Sequence, residues 1–359
     1  MARKADPIIR DFLLRNIPDH PRDIAPFAAK EFGVTRATIS NYLRQLQREG
    51  TVLGGGKTAA RTYELAVLDK VEQELEITPS IQEDVIWRDV IMPHMKGLRE
   101  NIIDICNYGF NEMLNNVVDH SSTTTCNIIL TRTYANVELK IRDFGVGIFE
   151  NIRRTFGLLD RKHALLELSK GKLTTDRSRH TGEGIFFTSR MFTQFIIMSN
   201  DLYYTKRYFG HEWLLESGPN EEDIVGTAII MKIATNSQHT SQSVFEQYTD
   251  DESRFSRTHI PLILAKYEGE KLLSRSQAKR ILARAERFTE ILLDFNGINE
   301  IGQPFADEIF RVFQAAHPSI QIFPLRTTPA IDRMIQHARA NALADQQPEL
   351  PFWTDQESS

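Results

Sequence analysis

Three polar residues spaced four apart constrain this chain more than any other feature of its sequence. Glu112, Asn116 and His120 recur within the stretch FNEMLNNVVDHSS. Residues four apart lie on one face of an α-helix, so the spacing predicts a carboxylate, a carboxamide and an imidazole directed together into a site. The apolar residues of the stretch occupy the other faces, as expected if the helix packs on a sheet. These are Met113, Leu114, Val117 and Val118.

Length and composition limit the class of protein. A chain of 359 residues is long enough for two or three domains, each with its own core. No apolar run approaches the roughly 18 residues that a membrane helix needs, and the opening MARKADPIIRDF lacks the apolar core of a secretory signal. We therefore expect a cytoplasmic protein without a membrane contact. Cys106 and Cys126 are too few for a disulfide framework or a cysteine-based zinc site, and we expect both to be buried.

Basic residues are concentrated near the N-terminus. Residues 1–66 contain eleven lysines and arginines against seven acidic residues, so this segment carries +4 and the remainder −9 of the total −5. Nucleic acid would bind at the basic end. The same segment predicts three helices: one over 7–16, a second ending at Gly33 and a third that follows Thr35 as its N-cap.

The third helix divides its residues between two faces. Ile39, Leu43 and Leu46 form an inward apolar stripe. The residues expected to face outward are Arg36, Thr38, Ser40, Asn41 and Arg44. Two short strands follow, around a basic hairpin that carries Lys57 and Arg61. Short polar residues beside arginines suit a helix lying in the major groove.

Residues 1–68 thus resemble the winged helix-turn-helix family. The resemblance implies that the outward residues of the third helix read double-stranded DNA and that the hairpin meets the phosphate backbone. Helices of this arrangement also serve protein contacts, and the sequence leaves that alternative open.

Three further motifs follow the Glu112 helix in order: RDFGVGI, TGEGIFF and VGTAIIMKI. With them, residues 96–240 resemble the GHKL superfamily, which includes DNA gyrase, Hsp90 chaperones, MutL, histidine kinases and anti-sigma-factor kinases. Glu112 and Asn116 match its first motif, DFGVGI its second, TGEGI its third, and Gly226 with Thr227 its fourth. The resemblance implies a Bergerat-type α/β sandwich, with helices on one side of a largely antiparallel sheet, that binds ATP and Mg²⁺.

The resemblance also implies how the base would be held. Asp143 would accept a hydrogen bond from the exocyclic amine of adenine. Gly145 and Gly147 would let the chain turn sharply and approach the base. Thr227 would reach the same edge of the base through a water.

A second group of matched residues would serve the phosphates. Asn116 would offer an oxygen to Mg²⁺, and Glu112 would orient and deprotonate the attacking water. The backbone of Gly182 and Gly184, at the start of a helix, would cradle phosphate oxygens without a side chain. His180 stands where the family commonly has another glycine, so the sequence leaves open how the phosphates would be held.

The segment from Phe149 to Gly182 has the length and polarity of a mobile lid. Of its basic residues, Lys172 and Arg179 flank the glycines most closely and are expected to reach the triphosphate.

The carboxylate of Glu112 favours an ATPase, although kinase members of the superfamily can also have a carboxylate at this position. His94, the only candidate phosphoacceptor of a histidine kinase, has no acidic neighbour after it and is interpreted as structural.

The C-terminal part alternates strands with helices over 256–343, which predicts a small α/β layer structure. It resembles a STAS-like domain of the DUF4325 type, most clearly in LLDFNGINEIGQPFADEIF. Partner-switching STAS proteins have a phosphorylatable serine where this chain has Gln303, so an internal kinase acting on this domain is not expected. Ser274 and Ser276 are interpreted as helix N-caps. The domain is expected to dock a protein partner or to sense the ATP site.

The sequence therefore predicts an α/β multidomain protein with five segments. They are a winged helix-turn-helix over 1–68, a linker and lead-in helix over 69–95, a Bergerat-type sandwich over 96–240, a STAS-like domain over 256–343 and a disordered tail over 344–359. We expect a cytoplasmic, ATP-responsive DNA-binding regulator that slowly hydrolyses Mg·ATP to switch conformation. An anti-sigma-factor-like serine/threonine kinase acting on a partner chain, membership of a multi-protein assembly, and a homodimer all remain open.

Overall fold

The computed structural model describes residues 6–56, 60–78, 80–173, 182–207, 212–216, 224–267 and 270–345. The chain divides into two compact units. The first contains residues 1–151 and 188–241, and the second contains residues 152–187 and 242–359. Among the described helices, none is both long and apolar enough to cross a membrane.

The first unit begins with three helices and a hairpin. The helices are α1 (Pro7–Asn16), α2 (Ile24–Phe32) and α3 (Arg36–Arg48), and the hairpin pairs β1 (Val52–Gly55) with β2 (Thr62–Leu65). Local signals set these ends: Gly33 ends α2 in the left-handed region at φ 63°, and the Thr35 hydroxyl accepts a hydrogen bond from the Thr38 N–H at 3.1 Å. The predicted helices and caps are confirmed.

A shared apolar core holds these elements together. The inward stripe predicted for α3 is fully buried, and it packs with residues of α1, α2 and the hairpin. The main members are Leu13, Leu14, Ile17, Ile24, Ala28, Ile39, Leu43, Leu46, Val52 and Tyr63. Burying this many aliphatic side chains is the main stabilising term for so small a substructure.

The first unit also contains a seven-stranded antiparallel sheet. Its spatial order is β3-β4-β5-β9-β6-β7-β8. The strands are β3 (Asp69–Glu76), β4 (Thr125–Arg132), β5 (Asn136–Asp143), β6 (Gln194–Asn200), β7 (Leu202–Arg207), β8 (Glu212–Glu216) and β9 (Ile224–Ala234). The expectation of a largely antiparallel sheet is confirmed for these strands.

One boundary differs from the sequence prediction. Residues 69–76 were expected to be linker, but they form β3, which pairs with β4 at the edge of the sheet. Within this strand only Leu75 is buried, and the other residues are exposed or half-buried. Charged side chains are common on an edge strand, where they prevent pairing with another chain. A short helix α4 (Glu83–Ile86) then continues through two irregular turns to Met95.

The helix that carries the three polar residues is α5 (Glu100–His120), which packs on β5 and β9. Its apolar face is buried, including Met113, Leu114 and Val117. Gly109 lies where α5 crosses the sheet, and a Cβ at this position would come within 2.5 Å of the Phe192 ring. Both cysteines are buried, as predicted, and burial raises the pKa of each thiol.

The second unit contains a three-stranded parallel sheet in the order β10-β11-β12. Strands and helices alternate as predicted. The elements from β10 onward are β10 (Arg257–Pro261), α10 (Arg275–Leu282), β11 (Glu290–Asp294), α11 (Gln303–Asp307) with its continuation into α12 (Gln314–Ala316), β12 (Gln321–Leu325) and α13 (Pro329–Asp345). Ser274 caps α10 in a capping box, whereas Ser276 is in the first turn. The helix α13 reaches Asp345, two residues into the predicted tail, and residues 346–359 lie outside the described part.

The described residues contain four further α-helices. They are α6 (Ile148–Phe156), α7 (Arg161–Lys170), α8 (Gly184–Met191) and α9 (Ser241–Glu246). The ATP domain predicted over 96–240 is not continuous, because residues 152–187 belong to the second unit. The helix α7 packs against β10, so this interruption has a structural role in the C-terminal part of the protein.

Candidate functional site

The centre of the predicted base site is the end of β5. Arg142 of β5 pairs with Ala228 of β9, which places the next residues, Asp143 and Thr227, beside each other. The carboxylate Oδ1 of Asp143 accepts hydrogen bonds from the backbone N–H of Thr227 at 3.2 Å and from that of Gly145 at 2.9 Å. Burial raises the pKa of Asp143 above its ordinary value, and these hydrogen bonds oppose the rise. The structure thus holds a single acceptor group at a defined point.

The turn after Asp143 is packed too closely for side chains. A Cβ on Gly145 would lie 1.8 Å from the carbonyl oxygen of Ser121, and one on Gly226 would lie 2.2 Å from the carbonyl oxygen of Asp143. Gly226 also has a φ of 75°, which side chains rarely allow. Neighbouring backbone therefore explains these two glycines, and a close approach by a base is not needed to account for them.

The end of α5 is joined to the same turn. The Val146 N–H donates to the carbonyl oxygen of Ser121 at 3.1 Å, and the Asn151 side chain donates to the carbonyl oxygen of His120 at 3.0 Å. The hydroxyl of Thr227 accepts from the Ile148 N–H at 3.0 Å. The C-terminal end of α5 and residues of the second and fourth motifs therefore meet in the first unit.

The polar residues of α5 are only half-buried. Glu112, Asn116 and His120 are all partly exposed, whereas the apolar face of the helix is buried. In the part of the chain that the structure describes, the carboxamide of Asn116 makes no hydrogen bond. A half-buried carboxamide without a hydrogen-bond partner can donate a hydrogen bond to a ligand or accept one from it.

Sequence reasoning missed an apolar patch beside Asp143. The side chains of Phe144, Val146 and Val225 are 40%, 39% and 62% exposed, although all three adjoin tightly packed backbone. The Arg142 guanidinium lies 4.9 Å from the centre of the Phe144 ring. Exposed apolar side chains next to one buried acceptor suit a planar ring that bears an amine. Phe144 and Val146 alternate with the glycines of the second motif and Val225 precedes Gly226 of the fourth, but the sequence does not show that these side chains are exposed.

Three predicted phosphate residues belong to the second unit. Gly182 lies against the backbone of Leu173, and Gly184 begins α8. The Lys172 ammonium donates to the carbonyl oxygen of Arg287 at 2.9 Å, so a role at a triphosphate would require it to leave this partner. Arg179 and His180 lie outside the described residues.

The predicted DNA-contacting residues lie along α3 and the hairpin. Arg36, Asn41 and Arg44 are exposed, and the Arg44 guanidinium donates to the Asn41 side chain. Thr38 and Ser40 are half-buried, and the Thr38 hydroxyl shares a hydrogen bond with that of Thr35 at 2.9 Å, which ties it to the helix cap. Arg61 is exposed and donates to the Gln47 side chain at 2.9 Å. Lys57 lies outside the described residues.

His94 has a structural setting. Its Nδ1 lies 3.0 Å from the Asp69 carboxylate, and its carbonyl oxygen accepts from Arg132. These contacts join the turn before α5 to the edge of the sheet. They agree with the interpretation of His94 as a packed residue.

Comparison with known families concerns the second unit. Residues 277–331 match the family described as STAS-like domain of unknown function (DUF4325). The chain carries a STAS-like domain. The matched part of the STAS-like domain runs from α10 through β11 and β12 to the start of α13, so the resemblance found in the sequence is confirmed there. A search of curated proteins found no match.

Proposed function

We propose that this protein is an ATP-responsive DNA-binding regulator. In this proposal the seven-stranded sheet with α5 is a GHKL-type, Bergerat-like ATP-binding domain, and α1–α3 with the hairpin form a winged helix-turn-helix. The observation that carries the proposal is the meeting of the second and fourth motifs with the C-terminal end of α5 at the end of β5. Asp143, Thr227 and the C-terminal end of α5 are linked there by direct hydrogen bonds.

The residues present fit an adenine nucleotide. The Asp143 carboxylate would accept a hydrogen bond from the exocyclic amine, which selects adenine over guanine. The exposed apolar side chains of Phe144, Val146 and Val225 would cover the faces and edges of the base. Asn116 would provide an oxygen to Mg²⁺, a cation that prefers oxygen ligands.

Glu112 is the candidate for activating water. It stands one helical turn before Asn116 on α5, so both side chains leave the helix on the same face. A bound ATP supplies the phosphoanhydride that water would attack. The Glu112 carboxylate would hold that water and accept its proton. Gly182 and Gly184, which the sequence assigns to the phosphates, belong to the second unit.

The DNA-binding surface would be the exposed side of α3. Arg36, Asn41 and Arg44 are available there for base edges and phosphates, and Arg61 of the hairpin would meet the flanking backbone. The sequence assigns Lys57 to the same contact. Because cations neutralise phosphate charge, the affinity would fall as salt rises.

Two strands connect the proposed ATP site to the DNA-binding helices. β5 runs from Asn136 to Asp143, and β9 runs beside it in the opposite direction, from the site to Ala234. Each strand spans about 25 Å or more at the usual rise per residue. The residues just beyond their far ends, Tyr134 and Thr235, contact α1.

The contacts with α1 are specific. The Tyr134 hydroxyl donates to the Asp11 carboxylate at 3.0 Å, and burial, followed by this contact, raises the pKa of Tyr134. The Arg15 side chain reaches the Thr235 hydroxyl at 3.5 Å, and that hydroxyl donates to the Tyr134 carbonyl oxygen at 2.8 Å. Binding at one end of β5 and β9 would change how α1 is held at the other end, provided that ATP binds one arrangement better.

The test is the affinity of the intact protein for DNA at fixed salt, with and without Mg·ATP. The proposal predicts a difference, and equal affinities would contradict the coupling. Nucleotide binding and phosphate release by Asn116→Ala and Glu112→Ala separate the two roles on α5. We expect the first variant to lose binding and the second to bind without turnover. Transfer of label from ATP to a protein in a cell extract would indicate a kinase in place of an ATPase.

A further inference from the structure

A cavity lies within the first unit, between the N-terminal helices and the seven-stranded sheet. Its volume is about 380 Å³, and small-molecule sites usually measure roughly 300–1,000 Å³. The turn between α1 and α2 lines one side together with β2, and the strands β4, β5 and β9 line the other. The cavity is therefore large enough for a small organic molecule, and two parts of the first unit would contact that molecule.

The sheet provides the polar side of the cavity. Thr131 of β4, Glu138 of β5 and Lys232 of β9 form one cross-strand row, because Glu138 is directly opposite both of the others. This row lies on the face of the sheet opposite to the buried residues of β5. Glu138 and Lys232 form an ion pair at 2.9 Å, and the carboxylate of Glu64 is exposed to water. The charged groups of the lining are thus already paired or hydrated.

Three neutral side chains of the lining are available for hydrogen bonds. In the part of the chain that the structure describes, the hydroxyls of Thr131 and Tyr63 and the carboxamide of Asn136 make no hydrogen bond. Tyr63 is only 7% exposed, so a partner for its hydroxyl would come mainly from the cavity that it lines. A hydroxyl or a carboxamide can both donate and accept. Because burying such groups without a partner costs free energy, a ligand that bonds to them gains affinity.

The helical side of the cavity is largely apolar. Ile17 is buried at the C-terminal end of α1, and Pro18 and Pro21 follow it in the turn before α2. Proline has no backbone N–H, so its ring presents an apolar surface without a donor. Leu65 of β2 adds to this surface. An apolar wall opposite neutral polar groups suits a ring that bears a hydroxyl or a carbonyl group.

Backbone hydrogen bonds hold the walls of the cavity in place. The Tyr63 N–H donates to the Pro21 carbonyl oxygen at 2.8 Å, which joins β2 to the turn after α1. The Leu68 N–H donates to the Arg132 carbonyl oxygen at 2.7 Å, which joins the chain after β2 to the end of β4. The walls are thus fixed by the protein itself. A preformed cavity lowers the cost of binding, because little of the protein has to be ordered.

We propose that this cavity binds a small uncharged organic molecule that has a ring and a hydroxyl or carbonyl group. The ring packs against Ile17 and the two prolines, and the polar group bonds to the free side chains of the lining. Because the molecule contacts both β2 and the sheet, its binding holds the N-terminal helices more firmly on the sheet. The inference does not rest on the proposed function. Glu138 is five residues from Asp143 along β5, or roughly 17 Å, so the two sites are separate.

The test compares three probes that share a phenyl ring and differ in charge. They are 2-phenylethanol, which is neutral, phenethylamine, which is a cation, and 3-phenylpropionate, which is an anion. Ligand-observed NMR titrations of the full chain give the affinities, and hydrogen exchange with and without 2-phenylethanol locates the site. Thr131→Val and Tyr63→Phe each remove one hydroxyl and keep the shape of the side chain. The matched control is Thr125→Val, on the same strand and face as Thr131 but outside the lining.

We expect 2-phenylethanol to saturate the wild type with a roughly millimolar dissociation constant, and both charged probes to bind at least about tenfold more weakly. Each hydroxyl removal should weaken the binding of 2-phenylethanol roughly three- to tenfold, whereas the control should match the wild type. Exchange should slow in β2 and in the turn between α1 and α2.

Three results would overturn the inference: no saturable binding of 2-phenylethanol to the folded wild type, equal affinities for the three probes, or slowed exchange only outside the walls of the cavity. Equal affinities of Thr131→Val and Thr125→Val would overturn it as well. If circular dichroism shows that Tyr63→Phe is misfolded, Thr131→Val alone carries the expectation for the variants. None of these measurements requires ATP or DNA, so failure here is distinguishable from failure of the proposed function.

Discussion

Acid should weaken the second unit through the buried Glu167. Burial alone would raise the pKa of this carboxyl, but His163, Lys170 and Arg284 lower it from 4.5 to about 2. This difference corresponds to about 3 kcal/mol of unfolding free energy. Because the pKa is depressed in the folded state, the contribution is complete above pH 4.5 and is lost as the pH falls towards 2. The variant Glu167→Gln should lack this part of the pH dependence and should be less stable at neutral pH, since Lys170 loses its ionic partner.

Urea unfolding of the full chain, followed by hydrogen exchange of α7 and of β10–β12, measures this effect from pH 6 to pH 2.5. The matched control is Glu300→Gln, which removes a glutamate paired with a lysine, Lys271, at the surface of the same unit. We expect the control to follow the wild-type curve, because exposed ion pairs contribute little. If Glu167→Gln and the wild type lose stability in parallel over this pH range, the assignment of an ionised, paired Glu167 is wrong.

Three further predictions concern the first unit. Tyr134→Phe removes the hydroxyl that donates to Asp11. DNA affinity, measured by fluorescence anisotropy, should then stop responding to Mg·ATP, while the free energy of unfolding falls by only about 1 kcal/mol. A full response to Mg·ATP would refute the proposed route. Gly145→Ala places a Cβ against the Ser121 carbonyl oxygen and should cost about 1–3 kcal/mol in denaturant unfolding, whereas an unchanged midpoint would show that the turn is loose. Arg44→Ala should weaken DNA binding by about 1–3 kcal/mol and reduce its salt dependence, and an unaltered titration would move the DNA contact away from α3.

Local signals made the N-terminal helices predictable. Gly33 and Thr35 determine where α2 ends and α3 begins through their own backbone geometry and hydrogen bonds, so no knowledge of distant residues was needed. The spacing of Glu112, Asn116 and His120 likewise predicted one long helix, which the structure has as α5. Periodicity and caps act within one or two turns, which is the range that a sequence displays directly.

Elements that depend on distant partners were not predictable in the same way. The acidic segment Asp69–Glu76 becomes a strand because β4 offers it an edge, and its own composition favours no strand. Glu167 and Lys170 have the spacing of an ordinary surface pair, yet Ala283 and Arg284 bury them. The apolar patch of Phe144, Val146 and Val225 could not be predicted, because it is recognised by the solvent exposure of these side chains, which only the folded chain shows.

The most direct test of ATP binding is a calorimetric titration of Mg·ATP into the intact protein and into Asp143→Asn. The substitution keeps the shape of the side chain but replaces an ionised acceptor with a carboxamide at the point where the base amine would bind. The control is Asp104→Asn, which also replaces a carboxylate with a carboxamide but lies on the exposed side of α5. We predict saturable heat for the wild type and the control, and a large loss of affinity for Asp143→Asn. No heat from the folded wild type, or equal affinity in all three proteins, would contradict the assignment of this site to ATP.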